Sequence, residues 1–342
     1  MTDTTKPKQS KGRTPPAPTV LVVCSGEDGD EELLATATDL AQDWNADVSV
    51  LAALEPPPEL DRIAQAAGVS ADDIAARLAA DCRDKVAGLV ARTAPDLGSA
   101  IDVRLGKPFI EIIRQVIAHD VDLVIKTAEE LSDIHHLFAS TDQHLLRKCP
   151  CPVWLRWRGS PRAVKTVLAA VDVDQSTVSE PETLAGLNRR VLETAVRIGA
   201  GAGAAVHVLH VWDAPGEGLV RLWSDAADPD QAVQAYVDEA RSGHWRSLNR
   251  LVAQVRTWIG PELADRVRFA PLLERGTARA VIPQQAQALK ADVLVMGTIA
   301  RTGVPGFIIG NTAEDVLNSV DCSVVTVKPP DYVSPVKTGD EP

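Results

Sequence analysis

At 342 residues the chain is long enough for two domains, each with a sizeable core. Hydrophobic residues make up 45% and charged residues 24%, an ordinary globular composition, and a formal net charge of −12 opposes non-specific binding to nucleic acid, which needs a basic face. No apolar run approaches the roughly 20 residues that span a bilayer, so no membrane-spanning helix is expected.

Met1 to Pro18 carries Lys6, Lys8, Lys11 and Arg13 among prolines and polar residues and reads as a disordered tail. It lacks the apolar stretch of a signal peptide. Five cysteines, an odd number, fit a reducing interior, so the expected location is the cytoplasm.

The first apolar run, Val20 to Val23, has the β-branched character of a buried parallel strand. A helical stretch, Glu31 to Trp44, and a strand, Asp47 to Leu54, follow. Further on come a helix over Phe109 to His119, the strand Asp122 to Ile125, and a final strand from Pro152 to Leu155. After the turn chemistry of Arg158-Gly159-Ser160-Pro161-Arg162 the plan repeats. Val167 to Val171 is the counterpart of the first strand, 147 residues on. Leu187 to Ile198 is its helix, Ala205 to Trp212 the next strand, and Ala278 to Leu289 a later helix. Arg104 to Pro108 resembles Leu273 to Thr277, Asp122 to Ile125 matches Asp292 to Val295, and Cys151 falls opposite Cys322. These late offsets are 170 or 171, so the second half carries a longer middle insert. Alternating strands and helices predict two α/β domains with doubly wound parallel sheets. The expected boundaries are a tail over 1–18, domains over 19–157 and 164–329, and a C-terminal tail over 330–342. In the insert, Val233, Val237, Ala240, Trp245, Leu248, Leu251, Val252 and Val255 form a helical stripe. It reads as a core or domain–domain face, with a lid over a cavity as the alternative.

Met296 to Glu314 is the segment with most chemistry. A strand, a glycine-bearing loop and a helix start follow in that order, an arrangement in which backbone N–H groups can hold an anion. Gly297, Gly303, Gly306 and Gly310 allow close approach and positive φ, and Asn311 and Thr312 offer polar groups at the helix start. A simple capping turn is the alternative. Asp172 and Asp174 follow the first strand of the second half, where ligands of open α/β sheets bind. In the first half Cys24 and Ser25 replace that aspartate and Thr127 replaces Gly297. The stretch Ala128 to Ala139, with Glu129, Glu130 and Asp133, is acidic, and Ser140 and Thr141 read as helix caps. No nucleotide is expected there. His119, His135, His136 and His144 lack metal spacing, and His207 and His210 point to opposite faces of one strand. Cys149 and Cys151 read as structural, and no nucleophile–base order or Walker loop is present.

The Met296 to Glu314 segment and the tandem plan resemble the universal stress protein family. ATP-binding members show a glycine, two residues, a second glycine, nine residues, then glycine with serine or threonine. Gly297 and Gly310 match the first and third glycines, whereas Ala300 stands for the second and Asn311 for the hydroxyl residue. The resemblance covers about Thr19 to Pro329 and implies the adenine-nucleotide alpha-hydrolase-like fold, with two domains packed as a pseudo-dimer. It implies that Val153 to Trp157 faces Val324 to Lys328. It also implies that Asp172 lines an adenosine site. Asp172, Gly297, Ala300, Arg301, Gly310, Asn311 and Thr312 are therefore the candidate cofactor-binding residues, with ATP or a related adenine nucleotide as ligand. A methyl group at Ala300 costs about 1 kcal/mol if that position takes positive φ. Arg301 can supply charge and Asn311 an amide donor. The resemblance implies a non-catalytic module of the stress response. A slow ATPase or nucleotide switch, and a carrier of an apolar ligand beside Phe307-Ile308-Ile309, are the alternatives. No specific nucleic-acid or membrane partner is expected, and association of two chains stays open.

Overall fold

The computed structural model describes residues 17–338 apart from 28, 98–100, 132–133, 139, 175–180, 226–227 and 299–309, without the side chains of 130–137. The first half runs β1 (Thr19–Val23), α1 (Asp30–Trp44), β2 (Asp47–Leu54), α2 (Leu60–Ala67), α3 (Ala71–Thr93), β3 (Ile101–Leu105), α4 (Pro108–Ala118) and β4 (Leu123–Thr127). A hairpin of β5 (Glu130–Leu131) and β6 (Ile134–Phe138), then α5 (Ser140–Lys148) and β7 (Val153–Arg156), complete it. The second half runs β8 (Thr166–Ala170), α6 (Pro181–Ala200), β9 (Ala205–Trp212), α7 (Glu217–Trp223), α8 (Pro229–Ile259), α9 (Pro261–Ala264) and β10 (Arg268–Arg275). It ends with α10 (Ala278–Leu289), β11 (Val293–Gly297), α11 (Asn311–Leu317) and β12 (Ser323–Val327).

Each half forms a parallel sheet, in the order β3-β2-β1-β4-β7 and β10-β9-β8-β11-β12. Turns are set locally. Gly106 and Gly276 end β3 and β10 with φ of 153° and 147°, a backbone that a side chain would strain. Ser70 and Asp73 form a reciprocal capping box at α3, and Asp228 caps α8 ahead of Pro229.

The two sheets join. β7 pairs antiparallel with β12, placing Leu155 opposite Val324, Trp154 opposite Val325 and Val153 opposite Thr326. The result is one ten-stranded sheet with edges only at β3 and β10, and two inner edges that would otherwise invite aggregation are used up. Alternation along the strands feeds two cores. Val20, Val22, Trp154, Val167 and Val325 meet α1, α3, α6 and α8 on one face. Leu21, Leu155, Leu168 and Val324 meet α4, α5, α10 and α11 on the other. Trp157 Nε1 donates to Cys322 O at 3.0 Å across the seam, and Trp44 Nε1 on α1 donates to Arg197 O on α6 at 3.0 Å.

Of the two roles expected for the insert stripe, core or domain–domain face, it takes the core one. α8 is the crossover helix from β9 to β10, packed on those strands and α6, and the first half places α2 and α3 in the same connection. Its stripe buries Val233, Leu248 and Val255 within the second half. Helix contacts between the halves are made by α1 with α6, and by α5 with α11 through Arg147 and Glu314 at 2.6 Å. The C-terminal stretch after β12 crosses onto the first half: Tyr332 Oη donates to Arg147 O at 3.0 Å and Arg114 Nε to Lys337 O at 3.4 Å.

Candidate functional site

In the second half the strand order reverses between β8 and β11, so their carboxyl ends flank a crevice. Asp172 lies just beyond β8. Asn188 of α6 clamps its backbone on both sides. The Asp172 N–H donates to Asn188 Oδ1 at 3.1 Å, and Asn188 Nδ2 donates to Asp172 O at 2.6 Å. Asp172 Oδ1 accepts the Asp174 N–H at 3.1 Å and lies 3.9 Å from Nδ1 of buried His210. The His210 Nε2 in turn lies 3.0 Å from Nδ1 of His244, on α8. The carboxylate is thus oriented by its neighbours while its side chain stays 26% exposed.

The glycines act differently from expectation. Gly297 does not take positive φ; it is strand backbone, and an added Cβ would sit 2.6 Å from Leu187 Cδ2. Its lack of a side chain lets Leu187 of α6 pack against β11. Gly310 has φ −61° and ψ 141°, ordinary extended backbone, and its N–H donates to Thr298 O at 3.1 Å. Positive φ is therefore wrong for both. Asn311 and Thr312 stand exposed on the first turn of α11. Ala300, Arg301, Gly303, Gly306 and the run 305–309 lie outside the described residues. Buried Thr298, ahead of that loop, contacts Lys328 Nζ through Oγ1, and Lys328 Nζ donates to Leu146 O of α5 at 2.7 Å. Burial pulls this amine down to about 7.

The equivalent place in the first half is filled by the chain itself. Asp30 Oδ2 accepts the N–H groups of Ser25 and Gly26, each at 2.8 Å, so a carboxylate occupies the loop after β1. Burial pushes the Asp30 carboxyl up, against the pull of those N–H groups. Asp142, third residue of α5, accepts the Glu129 N–H at 2.7 Å and lies 3.0 Å from Lys126 Nζ. Lys126 also pairs with Glu129 at 2.6 Å. Asp142 is 0% exposed, and burial raises its carboxyl although Lys126 opposes the shift. Burial would lower the Lys126 amine, but Asp142 and Glu129 outweigh it and hold it above its ordinary value. Part of the acidic stretch forms the β5–β6 hairpin, and Glu129 ahead of it pairs with Lys126. At the matching positions of β11 and α11 the second half carries Met296 and Ala313, both buried and neither charged.

The universal stress protein family profile matches residues 17–155 and 187–328. The chain belongs to this family. Universal stress protein E of Salmonella typhi is 29% identical over 252 residues, covering 72% of this chain and 74% of the relative. Its namesake in Escherichia coli K12 is 28% identical over 250 residues, covering 71% and 73%. Among solved structures, a functionally unknown protein of Pseudomonas aeruginosa PAO1 aligns with a TM-score of 0.60 at 24% identity, over 92% of this chain and 93% of that one. A universal stress protein of Archaeoglobus fulgidus aligns with 0.55 at 17% identity, over 91% and 98%. Both share the fold.

Other residues of this universal stress protein fall outside the crevice. Cys149 and Cys151 are free, buried and 3.6 Å apart at sulfur, at the start of the seam strand β7. His144 packs at a tilt of 33° against Phe109 with ring centres 4.3 Å apart, and His119 is exposed. Among the described residues no group of three or more His, Cys, Asp or Glu is placed to hold a metal, and no helix is long and apolar enough to cross a membrane. Asn188 and His244 escaped the sequence reading because each reaches the site across a tertiary contact, and neither belongs to a local motif.

Proposed function

We propose that this universal stress protein is a non-catalytic binding or regulatory module of the stress response, working in the cytoplasm. Its second domain, 164–329, takes an adenine nucleotide weakly, and its first, 19–157, takes none. The reading rests on one contrast. The first half fills its loop after β1 and the start of α5 with its own carboxylates, Asp30 and Asp142. The second half replaces Lys126 and Asp142 with Met296 and Ala313, and holds Asp172 oriented and partly exposed at the switch point. In this reading Asp172 accepts a hydrogen bond from the nucleoside, and Asn311 and Thr312 donate to phosphate oxygens. Arg301 supplies charge, and Gly297, Ala300 and Gly310 line the loop.

The test is to denature freshly purified protein and identify the released small molecules by mass spectrometry. Adenine nucleotide approaching one per chain, and lost from Asp172→Ala, supports the proposal. An apolar species, or nucleotide retained in full by Asp172→Ala, contradicts it.

A further inference from the structure

A short amphipathic helix normally turns its apolar side inward. α7 does the opposite. Glu217 and Val220 lie half-buried on its inner side, where the helix packs on α8 and Gly216 N–H donates to Tyr236 Oη at 3.2 Å. Leu219, Leu222 and Trp223, spaced i, i+3 and i+4, form one stripe on the outer side and are 53%, 72% and 72% exposed. Leu219 and Leu222 are straightforward apolar surface, and an exposed Trp is the side chain most often found at the centre of interaction hot spots. The related connection in the first half shows no such stripe. There α2 exposes Ile63 alone among its large apolar residues, at 44%.

The surroundings of the stripe are acidic. Between Asp213 and Arg246 the sequence carries Asp213, Glu217, Asp225, Asp228, Asp230, Asp238 and Glu239 against Arg221, Arg241 and Arg246, and Arg275 of β10 pairs with Asp213 and Glu217, so the region keeps an excess of three negative charges. Arg221 pairs with Asp230 at 2.7 Å and Arg246 with Glu239 at 2.8 Å, so the excess falls on the remaining carboxylates of the region. The whole chain is acidic as well, at −12. That charge disfavours a second copy of the chain on this face and disfavours an anionic lipid surface. It favours a cationic partner that brings its own apolar groups.

We infer that the outer face of α7 is a docking surface for a basic amphipathic helix of a partner protein. Leu219, Leu222 and Trp223 receive the partner's apolar face, and the surrounding carboxylates steer its lysines and arginines. This surface lies on the β9–β10 connection and is separate from the nucleotide reading of the crevice.

The probe is a labelled 18-residue Leu/Lys amphipathic peptide, with a Leu/Glu peptide of the same apolar pattern as its counterpart. Binding is followed by fluorescence anisotropy with the full chain. The expected result is binding of the Leu/Lys peptide alone, about tenfold weaker after raising salt from 0.05 to 0.5 M and at least about tenfold weaker in Leu222→Ser/Trp223→Ser. Both substitutions are at the surface, so an unchanged melting temperature is expected and certifies the fold. Equal binding of the two peptides, undiminished binding by the double variant, or no binding of the Leu/Lys peptide overturns the inference. Concentration-dependent dimerisation that the double variant abolishes also overturns it, because the occupant would then be a second copy.

Discussion

The two halves of this chain share a fold and differ in what fills the same crevice. In the first, Lys126 and Asp142 form a buried ion pair, and Asp30 takes the backbone N–H groups of the loop after β1. In the second, Met296 and Ala313 occupy the paired positions, and Asp172 is held at the mouth by Asn188 and Asp174. On the proposed reading, a duplicated domain gives up a ligand site by satisfying its polar groups internally, with no loss of fold. The scaffold stays, because both halves are needed to complete the sheet through β7 and β12.

The largest effect should come from breaking the ion pair on one side. Asp142→Ala leaves Lys126 buried beside Glu129 alone and should cost about 3–5 kcal/mol in urea unfolding. The double change Lys126→Met/Asp142→Ala copies the second half and should recover most of that loss. If the double variant is as unstable as the single one, the two crevices are not interchangeable in the way proposed.

A second effect separates the seam from both sites. The Lys328 amine is pulled from its ordinary 10.5 to about 7 by burial. The unfolded chain therefore binds more protons than the folded one between those values, and stability should rise with pH across that window. The gain should be about 2 kcal/mol between pH 7 and 9, and Lys328→Met should flatten it. A wild-type chain whose stability is level or falling over this range would contradict the assignment.

A smaller effect tests the clamp on Asp172. Asn188→Ala removes both hydrogen bonds to its backbone and should cost about 1–2 kcal/mol in stability, together with weaker nucleotide binding. A loss of stability with full binding would make Asn188 a packing residue only.

Much of this was legible in the residues. The buried-strand runs, the 147- and 170-residue offsets and the matched Gly106 and Gly276 turns carry the tandem α/β plan, because parallel strands and their crossovers leave local patterns. Strands Asp47–Leu54 and Ala205–Trp212 have the expected ends. The crevice was less legible. Gly297 looks like a ligand-facing glycine, yet the constraint comes from Leu187, 110 residues earlier and adjacent only in the fold. The acidic stretch gives no sign that Glu129 pairs with Lys126, the strand residue that also holds Asp142. The α8 stripe has the right period but gives no sign of which wall it covers, since periodicity marks a buried face and not its neighbour.

The most direct measurement is a calorimetric titration of the full chain with ATP, repeated with Gly310→Val and Asp172→Ala. Gly310 is buried and has ordinary extended backbone, so Val there adds bulk at the start of α11 without demanding a new φ. The account predicts one binding site per chain, weakened at least about tenfold by each substitution, an effect of about 1.4 kcal/mol or more. Two sites per chain, or one site indifferent to both substitutions, would contradict a filled first crevice and an open second one.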